Sequence, residues 1–211
     1  MLVATLDVLL PTDCAGCGAP RWGQGSRSLC QDCYAELPGF PWAMQRIPEH
    51  CRSAWFFGTY EGSLGGLVRR AKYRPDPSAM RDVVRVLGPR VRGRLPDVDV
   101  VVPVPQSLRG SLQRGSNPVR LLASGLARAL GLPLDEPLVR RVERQQAGLD
   151  AGERLMNARA SYRCERLLEG QRVLLVDDVV TTGSTAAACA TELMGAGAAQ
   201  VHLFALCDAR A

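Results

Sequence analysis

Val173 to Thr185 reads VLLVDDVVTTGST. Four apolar residues run into two adjacent aspartates. Two more apolar residues follow, then hydroxyl side chains around a single glycine. A short, unbroken apolar run suits a strand buried on both faces, which occurs in parallel sheets covered by helices. Carboxylates at the end of such a strand, followed by a Thr/Gly/Ser turn, belong where open α/β sheets bind ligands, at the carboxyl ends of the strands.

The remaining segments supply partners for that strand. Ala54 to Tyr60 has the aromatic content of a strand, and Leu64, Leu67, Val68 and Ala71 recur at helical spacing. A second helix is expected from Pro77 to about Val91. Asp99 to Pro105 is a nearly all-apolar strand ending in two prolines. Pro118 to Gly131 reads as a helix with proline near its start and glycine at its end. Leu138–Val142 and Ser161–Cys164 are expected as short strands around a polar excursion, 143–160. Arg172–Val176 is the next buried strand, a helix follows from about Thr185 to Met194, and Val201–Cys207 is the last strand. Strands alternating with helices predict an α/β fold on a parallel sheet.

On that scaffold Asp177 and Asp178 fall at a strand mouth, and Thr181, Thr182, Gly183, Ser184 and Thr185 form the turn into a helix. Backbone amides of such a turn and the helix N-terminus make an anion seat, and Gly183 lets the backbone come close. The carboxylates accept hydrogen bonds from sugar hydroxyls and favour a magnesium-bound ligand. A phosphorylated sugar fits both halves. The competing reading is the acidic strand of a nucleotide hydrolase, but no GxxxxGK[ST] motif occurs in the chain.

Four of the eight cysteines come as Cys14-x-x-Cys17 and Cys30-x-x-Cys33, separated by twelve residues. Two matched pairs at this spacing predict a four-cysteine structural zinc site, and Gly16 and Gly18 suit its tight turns. A redox dithiol is the alternative. Four protein ligands close the coordination shell, so this zinc would hold structure. Cys51, Cys164, Cys189 and Cys207 stand singly and read as buried thiols. Pro38, Pro41 and Pro48 suggest a boundary that separates a zinc knuckle segment, 1–50, from a larger domain, 51–211.

The opening MLVATLDVLLP is too short and lacks the basic flank of a signal peptide. Leu2, Leu6, Leu9 and Leu10 fit one face of a docking helix. No apolar run reaches the length needed to span a bilayer, so a cytoplasmic protein without membrane insertion is expected. The net charge of +5 permits a polyanionic partner without requiring one, and Lys72 is the single lysine among 26 basic residues.

The stretch Val173–Thr185 resembles the phosphoribosyl pyrophosphate signature of type I phosphoribosyltransferases. In chain order, the cysteine knuckle, Tyr60-x3-Leu64-x2-Leu-Val-x2-Ala-Lys72-Tyr73, Val102-Pro-Val-Pro105, Arg114-Gly-x-Asn117, Gln146-x2-Leu149-x4-Arg154-x2-Asn157 and that signature together resemble the ComF family (the ComFC/GntX-like group), linked to competence and DNA uptake. The resemblance implies a type I phosphoribosyltransferase-like core carrying a small N-terminal zinc segment. It places Asp177 and Asp178 on the ribose hydroxyls as the pair closest to the chemistry. Val179, Val180, Thr181, Thr182, Gly183, Ser184 and Thr185 would then form the rest of the binding signature. It likens the turn after the first core strand, Pro103, Val104, Pro105, Gln106 and on to Ser107, to a pyrophosphate loop that often carries a strained peptide. Residues 143–160 become a closing loop in which Arg144, Gln146, Arg154 and Asn157, with Arg114 from elsewhere, reach the pyrophosphate. The family's usual Arg-Gly-Phe-Asn-Gln reads Arg114-Gly-Ser-Asn-Pro118, and a second cysteine quartet is reduced to Cys51.

Type I transfer depends on positioning and charge neutralisation more than on acid–base groups. His50 and His202 lie in no motif, so a histidine base is not indicated. Any hood that selects an acceptor is expected from the amino-terminal third. Two functions follow. One is a phosphoribosyltransferase acting on phosphoribosyl pyrophosphate with magnesium. The other is a non-catalytic sensor of that ligand or a nucleotide, which engages single-stranded DNA or a ComFA-type helicase partner. An oligomer is compatible with both.

Overall fold

Short apolar runs and period-3.6 apolar patterns alternate along this chain, and the structure resolves them into strands and helices in that order. The computed structural model describes residues 12–21, 28–73, 78–106, 117–141 and 161–210. A hairpin of β1 (Thr12–Asp13) and β2 (Pro20–Arg21) precedes α1 (Gln31–Ala35). Then come β3 (Trp42–Ala43), β4 (Ser53–Thr59), α2 (Gly62–Tyr73), α3 (Ser78–Val91), β5 (Val100–Pro103) and α4 (Pro118–Leu130). The short strands β6 (Leu138–Arg140) and β7 (Tyr162–Cys164) lead into β8 (Arg172–Val180), α5 (Ser184–Gly195) and β9 (Gln200–Asp208).

The central sheet has the order β3-β4-β9-β8-β5. β4, β9, β8 and β5 are mutually parallel, and β3 adds an antiparallel edge. The expected helix and strand segments from Ala54 onward appear within a few residues of their predicted ends. β3 was not anticipated, because two residues carry no periodicity. β6 and β7 pair with each other as a separate antiparallel ribbon.

Helix ends follow their local chemistry. The Asn117 side chain accepts the Arg120 N–H at 3.0 Å to start α4, Pro118 occupies its first turn, and Gly131 closes it in the left-handed conformation at φ 72°. α2 buries Leu64, Leu67, Val68 and Ala71, one face at i, i+3, i+4 and i+7. α3 and α4 pack closely because position 125 is glycine, where a Cβ would overlap the methyls of Val84.

Strand alternation divides the core between the two faces of the sheet. Phe57, Val101, Leu174, Val176, Phe204 and Leu206 meet α2, α3 and α4 on the first face. Ala54, Val102, Val173, Leu175, Leu203 and Ala205 meet α5 on the second. Phe57, Phe204, Leu67, Leu122 and Leu175 are fully buried, and each contributes about 1.5–3 kcal/mol.

The N-terminal docking helix, Pro77, Ser107, Arg114, Val142 and the whole segment 143–160, with Arg144, Gln146, Arg154 and Asn157, lie outside the described residues. The cysteine segment and the larger segment share one core. Cys14, Ala15, Leu29, Cys33 and Leu37 join the first-face cluster, and β3, which precedes residue 51, pairs with β4.

Candidate functional site

β8 runs on through both aspartates to Val180, four residues past the expected end at Val176. The extension has a partner throughout. β9 continues to Asp208 and pairs Val179 with Cys207 and Val180 with Asp208, after which the Ala209 N–H donates to the Val180 carbonyl at 2.9 Å. The acids therefore lie inside a paired strand. Asp177 is 6% exposed and Asp178 4%, whereas the apolar-run argument expected them to stand out at the mouth.

Strand alternation turns the two side chains toward different faces, yet their carboxyls still interact with each other. Asp177 follows Leu175 onto the α5 face, where Cys189 and Tyr162 are its electrostatic neighbours. Asp178 follows Val176 onto the α2 face, and Lys72 from the last turn of α2 reaches it, with Nζ 3.1 Å from Oδ1. The Asp178 Oδ2 is buried and has no hydrogen-bond partner among the described residues. The Asp177 Oδ1 accepts the Asp178 N–H at 2.8 Å.

Burial, and then the charge of Asp178, pushes the Asp177 carboxyl up to about 7. The folded protein keeps a proton there that the unfolded chain releases near pH 4, so this group lowers stability as pH rises from about 4 to about 7. Asp177→Asn removes that loss. Relative to wild type, the variant should be a few degrees more stable at about pH 8 than at about pH 5 in a thermal-melt series. Parallel pH curves for the two proteins would contradict this assignment.

The hydroxyl turn follows β8. Thr181 and Thr182 are exposed and Gly183 is buried. Gly183 sits at φ 83° as the N-cap of α5, with no side-chain oxygen capping the helix. The Thr182 Oγ1 lies 2.8 Å from the Ser184 Oγ and accepts the Ser184 N–H at 3.3 Å. The Ser184 N–H is thus taken locally, while Gly183 offers no side chain to cap the α5 amides that follow it. Two neighbours frame Gly183 that the sequence did not single out. A Cβ there would lie 3.3 Å from Pro48 Cγ and 3.7 Å from an Arg210 Nη1. Arg210 is pinned by a fork on Asp208, with Nε at 2.9 Å from Oδ1 and Nη2 at 3.0 Å from Oδ2. An Asp-x-Arg at the end of the last strand was the available sign of this clamp.

On the other flank of β8, Pro103 ends β5, and the buried Val104 donates its N–H to the Val176 carbonyl at 2.8 Å. Pro105 and Gln106 are half-buried. The described part of this turn, Val104 to Gln106, holds neither a cis peptide nor a positive φ. It lies beside β8, next to the acid strand. His202 is far away. It is buried near the amino end of β9, about 20 Å of strand from Asp208, and its Nδ1 lies 2.8 Å from the Ser53 Oγ. Burial, with Arg52 and Arg172 nearby, holds it below the usual histidine range.

The four knuckle cysteines converge. All four Sγ atoms lie within 4.8 Å of one another, and those of Cys17 and Cys30 are 3.9 Å apart. A tetrahedral zinc–thiolate shell has edges of about 3.8 Å, so the donor set fits the metal. The β1–β2 turn carries Cys14 and Cys17, Cys30 caps α1, and Cys33 lies within α1. Burial raises Cys14, but backbone N–H groups of Cys30, Cys17 and Gly16 and the Cys30 thiol outweigh it and bring the thiol down to about 6. Burial, reinforced by the neighbouring thiols against a bond from Ser63, pushes Cys33 up to about 12. The knuckle is seated on α2 at Gly66, where a Cβ would overlap the Gly16 and Ala15 carbonyls. It is tied to α3 by the Ser28 N–H donating to Asp82 and by a 3.1 Å contact between the Ser28 and Ser78 hydroxyls.

A family model described as phosphoribosyl transferase domain matches residues 115–211. The DNA utilization protein YhgH of Salmonella typhi is 34% identical over 202 residues, covering 92% of this chain and 83% of that protein. Competence protein F of Haemophilus influenzae is 28% identical over 209 residues, 86% of this chain and 90% of that one. Competence protein ComFC of Bacillus subtilis is 29% identical over 195 residues, 92% and 76%. With the parallel sheet, the matched transferase domain and relatives that align across nearly the whole length, the chain belongs to the ComF family of type I phosphoribosyltransferase-fold proteins.

Proposed function

We propose that the protein binds phosphoribosyl pyrophosphate with magnesium at the carboxyl end of β8, in a role connected with competence or DNA utilization, as its relatives are named. The observation that carries this reading is Asp178. It is a carboxylate almost wholly withdrawn from water, with one oxygen left without a partner among the described residues, three residues before an uncapped helix-entry turn. An unpartnered buried carboxylate oxygen is costly, and ligand hydroxyls relieve that cost. In this reading the amides of Thr182 to Thr185 hold the 5′-phosphate and Asp178 accepts ribose hydroxyls. Asp177 orients its neighbour through the Asp178 N–H, and the Val104–Gln106 turn faces the pyrophosphate. The oxygen donors of the acid pair fit magnesium, which would supply charge neutralisation on the pyrophosphate when bound. The reaction open to such a site is transfer of the phosphoribosyl group from pyrophosphate to a nucleophile.

Single-stranded DNA is the second reading. Phe40 and Trp42 are exposed, their rings 4.9 Å apart, and the Arg94 guanidinium lies 5.4 Å over Phe40. Aromatic faces with arginine are what base stacking uses.

One calorimetric series tests both readings. Phosphoribosyl pyrophosphate with magnesium should release heat with the wild type, and Asp178→Asn should weaken binding about a hundredfold. A silent wild type would sink the ligand assignment. An oligothymidylate titration that loses its heat in Trp42→Ala supports the DNA reading, and equal heats in both proteins remove it.

A further inference from the structure

Lys72 has no role in the signature motif, yet it is the only residue among those described that forms an ion pair with the acid pair. Its position is specific. α2 buries Leu64, Leu67, Val68 and Ala71 against the first sheet face, and that packing fixes the last turn of the helix over Asp178. The Lys72 side chain is 28% exposed, and an ammonium has three donors, of which the Asp178 Oδ1 takes one. The Asp178 Oδ2 beside it has no partner among the described residues. A pair that served only to neutralise a buried carboxylate would satisfy both oxygens, and an arginine fork does that, as Arg210 does for Asp208. The other 25 of the 26 lysine and arginine residues are arginine. Here alone the chain places a compact ammonium on a flexible stem, which can leave one oxygen for another without breaking a two-pronged contact.

Building on the ligand assignment above, we propose that Lys72 is a ligand-exchanging residue. In the free protein its ammonium neutralises Asp178. When ribose hydroxyls take the carboxylate, the ammonium moves to an anionic oxygen of the incoming phosphoribosyl pyrophosphate. The exchange pairs Asp178 with a cation before binding and delivers that cation to the ligand on binding. It also selects a ligand that offers hydroxyls and anionic oxygens together, so magnesium pyrophosphate alone should not trigger it.

The single lysine makes the test direct, because NMR of protein grown on isotope-labelled lysine gives one side-chain spin system. The signals next to Nζ should shift in Asp178→Asn, shift on adding phosphoribosyl pyrophosphate with magnesium, and stay in place with magnesium pyrophosphate. In calorimetry Lys72→Met should weaken binding of the full ligand at least about tenfold. Lys72→Arg should keep the wild-type melting midpoint but also lose at least about tenfold in affinity, because its fork closes on both oxygens of Asp178. Lys72→Arg binding within about twofold of wild type, or a lysine signal that ignores the full ligand, overturns the exchange and leaves a fixed counter-ion. In those cases the wild type still binds. A wild type that binds nothing instead removes the ligand assignment, so the two failures are told apart.

Discussion

Removing the metal from the cysteine knuckle with a strong chelator should lower the thermal midpoint of the whole protein by more than about 10 °C. A structural zinc contributes folding free energy directly, and for a chain of this size each kcal/mol moves the midpoint by about 2–4 °C. The effect should be global because the knuckle is part of the core: Cys14, Ala15, Leu29 and Cys33 sit in the same apolar cluster as Leu67, Leu87 and Phe204. Without a metal, four sulfur atoms within 4.8 Å of one another lose the ion that would hold them together. Cys14→Ser should reproduce the drop, and metal analysis of the purified protein should find about one zinc per chain. An unchanged midpoint after complete demetallation would reduce the knuckle to an appendage.

The second large effect is at Gly183. Gly183→Val should lower affinity for phosphoribosyl pyrophosphate by about a hundredfold or more while costing only a few degrees of midpoint. At φ 83° a β-branched residue is a conformational outlier. The added side chain would also press into Pro48 and the Arg210 guanidinium, which border the Cβ position at 3.3 and 3.7 Å. Relief requires the Thr181–Ser184 turn to move, and that turn carries the amides assigned to the phosphate. Gly183→Ala should fall between valine and wild type. Calorimetry reads both variants, and a valine variant that binds as well as wild type would mean the anion rests elsewhere.

The fold was largely legible because it rests on local patterns. Val173–Val176 and Val201–Cys207 are largely unbroken apolar runs, the face Leu64–Leu67–Val68–Ala71 shows a helical period, and Pro118 and Gly131 announce helix ends. The end of β8 was not legible. A strand stops where its neighbour stops, and β9 holds Val179 and Val180 through Cys207 and Asp208. The cysteine quartet was readable from spacing alone, since two matched pairs leave few arrangements. The acid pair was identified as a unit, although period-two alternation already implied opposite faces for Asp177 and Asp178. Lys72 was visible only as part of the Tyr60–Tyr73 motif, and neither its link nor that of Arg210 to the site was readable. Lys72 lies more than a hundred residues from Asp178, and Arg210 meets Gly183 only when β8 and β9 pair, so no local pattern links either to the site. Pro48 over Gly183 is a tertiary contact of the same kind.

α2 touches the knuckle at Gly66 and Asp178 at Lys72, about 9 Å further along one stiff rod. A helix this short transmits tilt almost undiminished. The cysteine cluster therefore acts as the fulcrum that sets the aim of the lysine, and chelation should disturb the Lys72–Asp178 contact before the chain unfolds.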